Sequence, residues 1–473
     1  MASKPKLSRW QKVSYNLGQF AWASKDVSFH YFLFFYYAQF LGLSASLAGL
    51  AALLALIADG ISDPIIGQIS DNWRRGKLGR RHPFMGFAIV PYLAALLAIF
   101  NPPPDLSQGA LFAWYLCFAI LVRNLLTLFT VPHMALGAEL SDDYTERTSI
   151  ATGRTIMGYI GGLTIQVIAW FLVIPLATAA GSTADGYRQV GYVAALLALV
   201  GMTASWFGTR DRIPYLTRIS EAQQSRAWWQ AFIDIFRLLR LPSARIMFLG
   251  TFLTVLVVGL ANTLLLHMNN FFWGFSSEQT GVFMLAIFLS LFPAFWLAMK
   301  GTEVLGKRRA VVAFVLLSAF THPLAVLAHL YGLTPPVGSN ELLAVVCAVL
   351  VINQSFVIAA INVAASMLPD VADELELSNG LRQEGILNSG MMLIQKVMFG
   401  LGAFFAGLVI DFTGLGGITD IANVSDSMFN RLGWIYGPGL ACISLLAALV
   451  YSRYRLGRKR LAEVQSQLAQ ARG

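Results

Sequence analysis

Apolar residues in this chain gather into long blocks, at roughly 15–43, 46–69, 83–101, 109–138, 153–178, 187–208, 244–273, 279–300, 309–331, 341–368, 385–411 and 431–452. About 20 helical residues, each rising 1.5 Å, cross a hydrocarbon layer of ~30 Å, so each block predicts one membrane-spanning helix. Clusters of Pro and Gly punctuate the blocks, as in Asn101-Pro-Pro-Pro104 and Thr334-Pro-Pro336. The pattern predicts an all-α membrane protein of twelve transmembrane helices.

The polar connections carry a second pattern. Lys4, Lys6, Arg9 and Lys12 precede the first block; Arg74, Arg75, Lys77, Arg80 and Arg81 follow the second. Arg210, Arg212, Arg218, Arg226, Arg237, Arg240 and Arg245 fill the middle loop, Lys307, Arg308 and Arg309 follow the eighth block, and Arg453, Arg455, Arg458, Lys459, Arg460 and Arg472 close the chain. The alternate loops hold little beyond Arg188 and Arg431. Positive charge stays on the cytoplasmic side. The sorting therefore predicts an even number of spans, both termini cytoplasmic, and a multi-pass protein of the plasma (inner) membrane. The start, MASKPKLSRWQK, reaches apolar sequence without a small-residue cleavage site, so the first span is expected to act as the signal.

The longest connection divides the blocks six and six, giving expected domains of 1–208 and 244–473 joined by a linker at 209–243. In the linker Trp228, Trp229, Phe232, Ile233, Phe236 and Leu239 interleave with Gln230, Asp234, Arg237 and Arg240. That is the pattern of an amphipathic helix, lying on the cytoplasmic leaflet or packed under the two halves. The halves resemble each other: Leu78-Gly-Arg-Arg81 matches Leu305-Gly-Lys-Arg308, and Ala135-Leu-Gly-Ala-Glu-Leu140 matches Met367-Leu-Pro-Asp-Val-Ala372. A duplicated six-helix unit follows, a design in which the substrate sits near the midplane and the halves rock around it.

Composition agrees with lipid as the solvent. The 473 residues are 56% hydrophobic and 12% charged, against about 25% charged in soluble proteins. The 33 Phe and 11 Trp suit lipid-facing and interfacial positions. The net charge of +9 does not imply nucleic acid, because it is sorted by membrane side. Cys117, Cys347 and Cys442 lie in apolar runs without metal spacing and read as packing residues. Gly301-Thr-Glu-Val-Leu-Gly-Lys307 begins like a phosphate-binding loop, but Arg308 replaces the required hydroxyl residue. Asn423-Val-Ser425 fits a glycosylation sequon that matters only in a secretory pathway. No serine-elbow or zinc pattern appears, which argues against a membrane enzyme and for no cofactor.

The informative polar residues lie inside the blocks. Asp59 and Asp63 sit in Ala58-Asp-Gly-Ile-Ser-Asp-Pro64 of the second block. An aspartate at a span centre costs about 2.5–3.5 kcal/mol, and the i,i+4 spacing places both on one face where like charges repel. A positive partner is required. A hard cation such as Na⁺ held by carboxylate and hydroxyl oxygens fits, with Ser62 and Gly60 leaving room; so does an interhelical ion pair with Lys25 (beside Asp26), Arg154 or Lys396. Arg123, Asn124, Asn262 and His267 read as residues that satisfy a neighbour rather than line a cavity. His133, after Pro132, reads as a hydrogen-bonded packing histidine.

Gly67-Gln-Ile-Ser-Asp71 followed by Gly79-Arg80-Arg81 resembles the gating-loop signature of the major facilitator superfamily. Asp59-Gly-Ile-Ser-Asp-Pro-Ile-Ile-Gly67 resembles the second-span motif of the glycoside–pentoside–hexuronide:cation symporters, the family of melibiose permease. Lys25-Asp26, Glu146-Arg147, Arg154, Met367-Leu-Pro-Asp-Val-Ala-Asp373 and Lys396 match further motifs along nearly the whole chain. The resemblance implies the major facilitator fold, two pseudo-symmetric six-helix bundles, and a Na⁺ site formed by Asp59, Ser62, Asp63 and Thr127. Ser62 stands where the family's sugar carriers have Asn.

The resemblance also places substrate contacts at Lys25, Asp26, Thr130, Met134, Arg154, Ile361 and Lys396. Thr130 aligns with a sugar-binding carboxylate, and Met134 and Ile361 with stacking tryptophans. Those losses make a more apolar pocket and are shared with the sodium-dependent lysophosphatidylcholine symporters, as are Val131-Pro132 and the Met-Leu-Pro-Asp run. Phe29, Phe32, Met134, Met398 and Phe399 would form a groove for an acyl chain, and Asp26, Arg154 and Lys396 would meet a headgroup. Asn262, by contrast, stands near the place of an acidic residue in that branch. The sequence thus leads to an expectation of a monomeric, Na⁺-coupled symporter of a lysophospholipid-like amphiphile. A cation:sugar symporter is the alternative, and a passive scramblase or sensor a third reading.

Overall fold

The computed structural model describes residues 5–73, 78–216, 233, 237–379 and 384–472. They form two compact units, Met1–Trp228 and Trp229–Gly473. All regular structure among the described residues is helical. In the first unit the helices are α1 (Arg9–Leu17), α2 (Gln19–Val27), α3 (Ala45–Asp71), α4 (His82–Phe100), α5 (Gln108–Glu139), α6 (Tyr144–Ile168), α7 (Ile174–Ala179) and α8 (Thr183–Gly208). In the second they are α9 (Pro242–His267), α10 (Ser277–Leu289), α11 (Leu291–Leu305), α12 (Lys307–Thr321), α13 (Leu324–Leu330), α14 (Asn340–Ser366), α15 (Leu368–Asn379), α16 (Glu384–Thr413), α17 (Asp426–Trp434), α18 (Leu440–Ser452) and α19 (Arg458–Arg472).

Eleven stretches among the described residues are long and apolar enough to cross a membrane. They correspond to the second through twelfth predicted spans. The first predicted span is helical but segmented: α1 and α2 continue into π-helical turns at Ser28–Leu33 and Tyr36–Phe40. It carries Lys25 and Asp26 and breaks into short segments, so neither unbroken length nor hydropathy marks it. Its wide turns project aromatic side chains into the bundle, where Phe32 lies 5.1 Å from the Trp170 ring and Tyr36 stacks on Tyr187. Tyr37 Oη donates to the Ile99 carbonyl at 2.7 Å.

Helix starts follow from local chemistry. Ser107, Ser182, Ser276, Ser339 and Ser425 each accept from a backbone N–H in the first turn of the helix that follows. Such caps satisfy donors that would otherwise be orphaned at the membrane surface. Close packing depends on small residues, as lipid offers no hydrophobic drive between helices. A Cβ at Gly402 would stand 2.5 Å from the Leu260 nitrogen and 2.7 Å from the Gly259 carbonyl carbon, fixing α16 against α9 backbone to backbone.

Three readings need correction or qualification. The tail expected only to be basic contains α19, whose Val464 and Leu468 join the buried core that also contains Leu375 and Val371 of α15. Cys117 and Cys442 lie on the exposed surface of their helices rather than in the packed core. The linker amphipathic pattern falls largely outside the described residues, which there include only Ile233, Arg237, Leu239 and Arg240 of those named.

Candidate functional site

Asp59 and Asp63 lie one turn apart on α3, and α5 packs along that helix. Thr127 of α5 bridges them: its hydroxyl is 3.2 Å from Asp59 Oδ1 and 2.9 Å from Asp63 Oδ1. A hydroxyl has one proton, so it donates to one carboxylate at a time and keeps lone pairs free. Arg123, one turn earlier on α5, places Nη1 3.7 Å from Asp59 Oδ2. Asp59 and Arg123 are both buried, with 7% and 4% of their surface exposed. The ion pair offsets part of the aspartate's burial cost, and the Arg123 guanidinium also lies over the Phe29 ring at 5.2 Å.

Pro64 adds a further acceptor. It has no N–H, so the carbonyl one turn back, at Gly60, receives no ladder hydrogen bond from it. That carbonyl lies between Asp59 and Asp63 in sequence. Ser62, in contrast, turns its hydroxyl onto its own helix, donating to the Asp59 carbonyl at 3.1 Å. The oxygen-rich set shown by these contacts comprises two carboxylates and the Thr127 hydroxyl, donors of the kind a small hard cation takes.

Lys25 and Asp26 follow on α2, with Lys25 Nζ 3.7 Å from Asp26 Oδ1. His30, unremarked in the sequence, puts Nδ1 3.3 Å from the same oxygen. Asp26, Asp59 and Asp63 all lie within Coulombic reach of Arg123. Arg154 belongs elsewhere in the unit: it interacts with the hydroxyl of Tyr15. The Tyr15 ring stacks on His133 at 4.3 Å, its hydroxyl donates to the His133 carbonyl, and His133 Nε2 meets the Tyr15 carbonyl at 2.8 Å. His133 is thus the packing residue expected.

Thr130 and Met134 continue the α5 face that carries Arg123 and Thr127, at spacings of i, i+4, i+7 and i+11. Thr130 is half-buried, while Met134 is 49% exposed. The face grades from charge through hydroxyl to thioether. In the second unit Ile361 of α14 lines a cavity of about 20 Å³ with Thr251, Thr254, Met391 and Tyr451, room for roughly one water. Lys396 is half-buried on α16. Phe32 and Met398, expected to line a groove, are packed into their own units.

The gating-loop residues are brought together with one the motif did not include. Glu139, at the end of α5, accepts from Arg80 Nη2 at 2.6 Å and from Arg81 Nε and Nη2 at 3.3 and 3.1 Å, while Arg81 Nη1 donates to Ser70 Oγ at 3.0 Å. Gly79 supplies the positive φ (68°) that turns the chain into α4. Gly67 and Asp71 lie on the last two turns of α3. The second unit repeats the device: Lys307 donates to both Asp370 oxygens at 2.8 and 2.7 Å and to the Ser366 carbonyl. Glu139 and Asp370 lie in the two stretches whose similarity the repeat pattern had shown.

Apolar spans in two units, a carboxylate pair inside a span and matched ionic ties at helix ends define a multi-pass membrane transporter of the major facilitator type. The chain belongs to the MFS/sugar transport protein family, whose model matches residues 14–458; it is a membrane symporter of this type. It is 24% identical to the isoprimeverose transporter of Lactiplantibacillus pentosus over 97% of this chain and 92% of that one. It is 23% identical to the sodium-dependent lysophosphatidylcholine symporter 1-A of Danio rerio, covering 97% and 87% of the two chains. The fold matches the inward-open xylose transporter XylE from E. coli with a TM-score of 0.62 at 13% identity, covering 96% of this chain and 98% of that one.

Proposed function

We propose that this protein is a sodium-coupled symporter of a lysophospholipid-like amphiphile, working by alternating access as a monomer with both termini in the cytoplasm. The observation that carries the cation reading is Thr127, whose single hydroxyl serves both Asp59 and Asp63. In the ion's absence it donates to a carboxylate; with Na⁺ present it turns a lone pair inward and the carboxylates supply the countercharge. Arg123 holds Asp59 from the far side and keeps the site from carrying two uncompensated charges. Na⁺ is a co-transported substrate here, and its release into a low-sodium cytoplasm returns the carrier.

The amphiphile reading rests on the α5 face, where the polar cluster runs into Thr130 and the exposed Met134. A zwitterionic headgroup would meet Lys25 and Asp26, and an acyl chain the thioether side. A sugar is the second reading, supported by the isoprimeverose transporter's similarity over nearly the whole chain. Proteoliposomes with an inward Na⁺ gradient test both, given a lysophosphatidylcholine or a radiolabelled pentose-containing glycoside. Accumulation of the lysolipid above equilibrium, lost in Asp59→Ala and Asp63→Ala, is expected. Accumulation of the glycoside alone selects the sugar reading, and equilibration without accumulation means a passive scramblase.

A further inference from the structure

In the first unit α4 and α8 each lie within a membrane-spanning stretch, His82–Phe100 and Thr183–Gly208. They pack closely where side chains are missing. A Cβ at Gly86 would stand 2.7 Å from Trp206 Nε1, and one at Gly191 would stand 2.5 Å from Phe100 Cγ. These two meetings make the helices antiparallel neighbours over about 14 residues, or ~21 Å. Beside that contact Phe87, Val90 and Leu97 of α4 and Leu196, Val200 and Phe207 of α8 are exposed. Each set recurs at helical spacing and forms one stripe. Apolar stripes left exposed within a span face lipid.

The α8 stripe ends at a cation. Arg210, two residues beyond the span, lays its guanidinium over the Trp206 ring at 4.3 Å and lies 5.5 Å from the Phe207 ring. Trp206 is itself fixed, its Nε1 donating to the His82 carbonyl at 2.9 Å. The rings cover the guanidinium's face, whereas its N–H donors point outward in its plane. Among the described residues Arg210 makes no ion pair or hydrogen bond through those donors, and the exposed Asp211 beside it is not a partner.

Arg212 is used differently. It is buried and donates to the Pro5 and Lys6 carbonyls at 2.6 and 2.7 Å and to Gln11 Oε1 at 2.9 Å. It thereby ties down the segment that carries the exposed Lys6, Arg9 and Trp10. The Trp10 indole nitrogen lies 3.7 Å from where a Cβ of Gly208 would stand, which puts this tryptophan at the same end of α8. Tryptophan and basic residues at a span's end mark the depth of lipid headgroups.

We propose that the furrow between α4 and α8 binds an anionic glycerophospholipid of the membrane, with its phosphodiester on the edge of the Arg210 guanidinium and an acyl chain along the two stripes. A stacked arginine offers paired in-plane donors that match two phosphate oxygens. The added positive charge of Lys6 and Arg9 selects a headgroup of net negative charge over a zwitterionic one. Every contributor lies in the first unit, and none belongs to the cation site or the cargo contacts proposed above.

The test uses the full-length protein in dodecyl maltoside micelles, titrated with dioleoyl phosphatidylglycerol or with phosphatidylcholine of the same chains, and read by native mass spectrometry. The wild type is expected to hold phosphatidylglycerol about fivefold more tightly, the effect of about one interfacial arginine. Arg210→Gln should abolish that preference and leave phosphatidylcholine binding unchanged. A phosphatidylglycerol carrying a diazirine in its acyl chain should label the α4 and α8 stripes of the wild type, and Arg210→Gln should lose that labelling.

Equal retention of the two lipids by the wild type would overturn the proposal without any variant. So would a preference kept in full by Arg210→Gln, or labelling that falls outside α4 and α8. Inorganic phosphate that displaces the bound phosphatidylglycerol would assign a free-anion site and overturn the lipid. Each of these results leaves the proposed Na⁺ site and cargo untouched.

Discussion

Replacing Thr127 by valine keeps the volume and branching of the side chain and removes only the oxygen. That oxygen lies 3.2 and 2.9 Å from two carboxylate oxygens and can donate to only one. The variant therefore loses a charge-assisted hydrogen bond of about 1.5–3 kcal/mol in the empty state. In the occupied state it loses a ligand to the ion, and the two carboxylates must hold the metal without a third side-chain oxygen. The ligand loss exceeds the hydrogen-bond loss because lone pair, carboxylates and ion attract in a low-dielectric site. A net difference of about 1–2 kcal/mol, or about five- to thirtyfold weaker Na⁺ binding, follows. Sodium-dependent uptake into proteoliposomes measures the half-saturating Na⁺ concentration. It should rise by that factor in Thr127→Val and return towards the wild-type value in Thr127→Ser, with the maximal rate at saturating Na⁺ largely kept. A half-saturating concentration unchanged within about twofold would refute the bridging role of the hydroxyl.

Other perturbations probe the surroundings of the site. Arg123→Gln strands Asp59 without its buried cation, so thermal stability in choline should fall by about 3–5 kcal/mol, and added Na⁺ should recover more of it than in the wild type. Glu139→Gln removes the carboxylate that gathers Arg80 and Arg81; cysteine accessibility near Ser70 should increase and Na⁺-driven uptake fall, while Na⁺ affinity in detergent changes little. Gly402→Ala drives a methyl into the α9 backbone at 2.5–2.8 Å, and the yield of folded protein should drop by an amount equivalent to about 1–3 kcal/mol of overpacking.

What sequence alone conveyed follows from how far apart the interacting residues stand. Long apolar runs announce spans without any knowledge of their neighbours, which is why eleven were legible at nearly their observed limits. The first was harder, since Lys25, Asp26 and two π-helical stretches interrupt it. Asp59 and Asp63 stood out because their own helix makes them costly. Thr127 did not: a threonine in a span is unremarkable, and only the family resemblance pointed to it. Arg123 was read as a residue that satisfies a neighbour, which it does, and the neighbour is Asp59, 64 positions away in the chain. His30 had a legible signal, the same i,i+4 spacing from an aspartate that drew attention to the second span. The tie between Glu139 and Arg80 and Arg81 was half-visible as two repeated motifs, whose contact only the folded unit displays.

The central claim is that Asp59, Asp63 and Thr127 form a site for Na⁺. Equilibrium binding of radiolabelled sodium to the purified full-length protein tests it without reference to any organic substrate. Saturable binding that is displaced by excess unlabelled Na⁺ but not by choline, and abolished in Asp63→Asn, is the result predicted. Saturable binding that survives in both Asp59→Asn and Asp63→Asn, or none in the wild type, would contradict it.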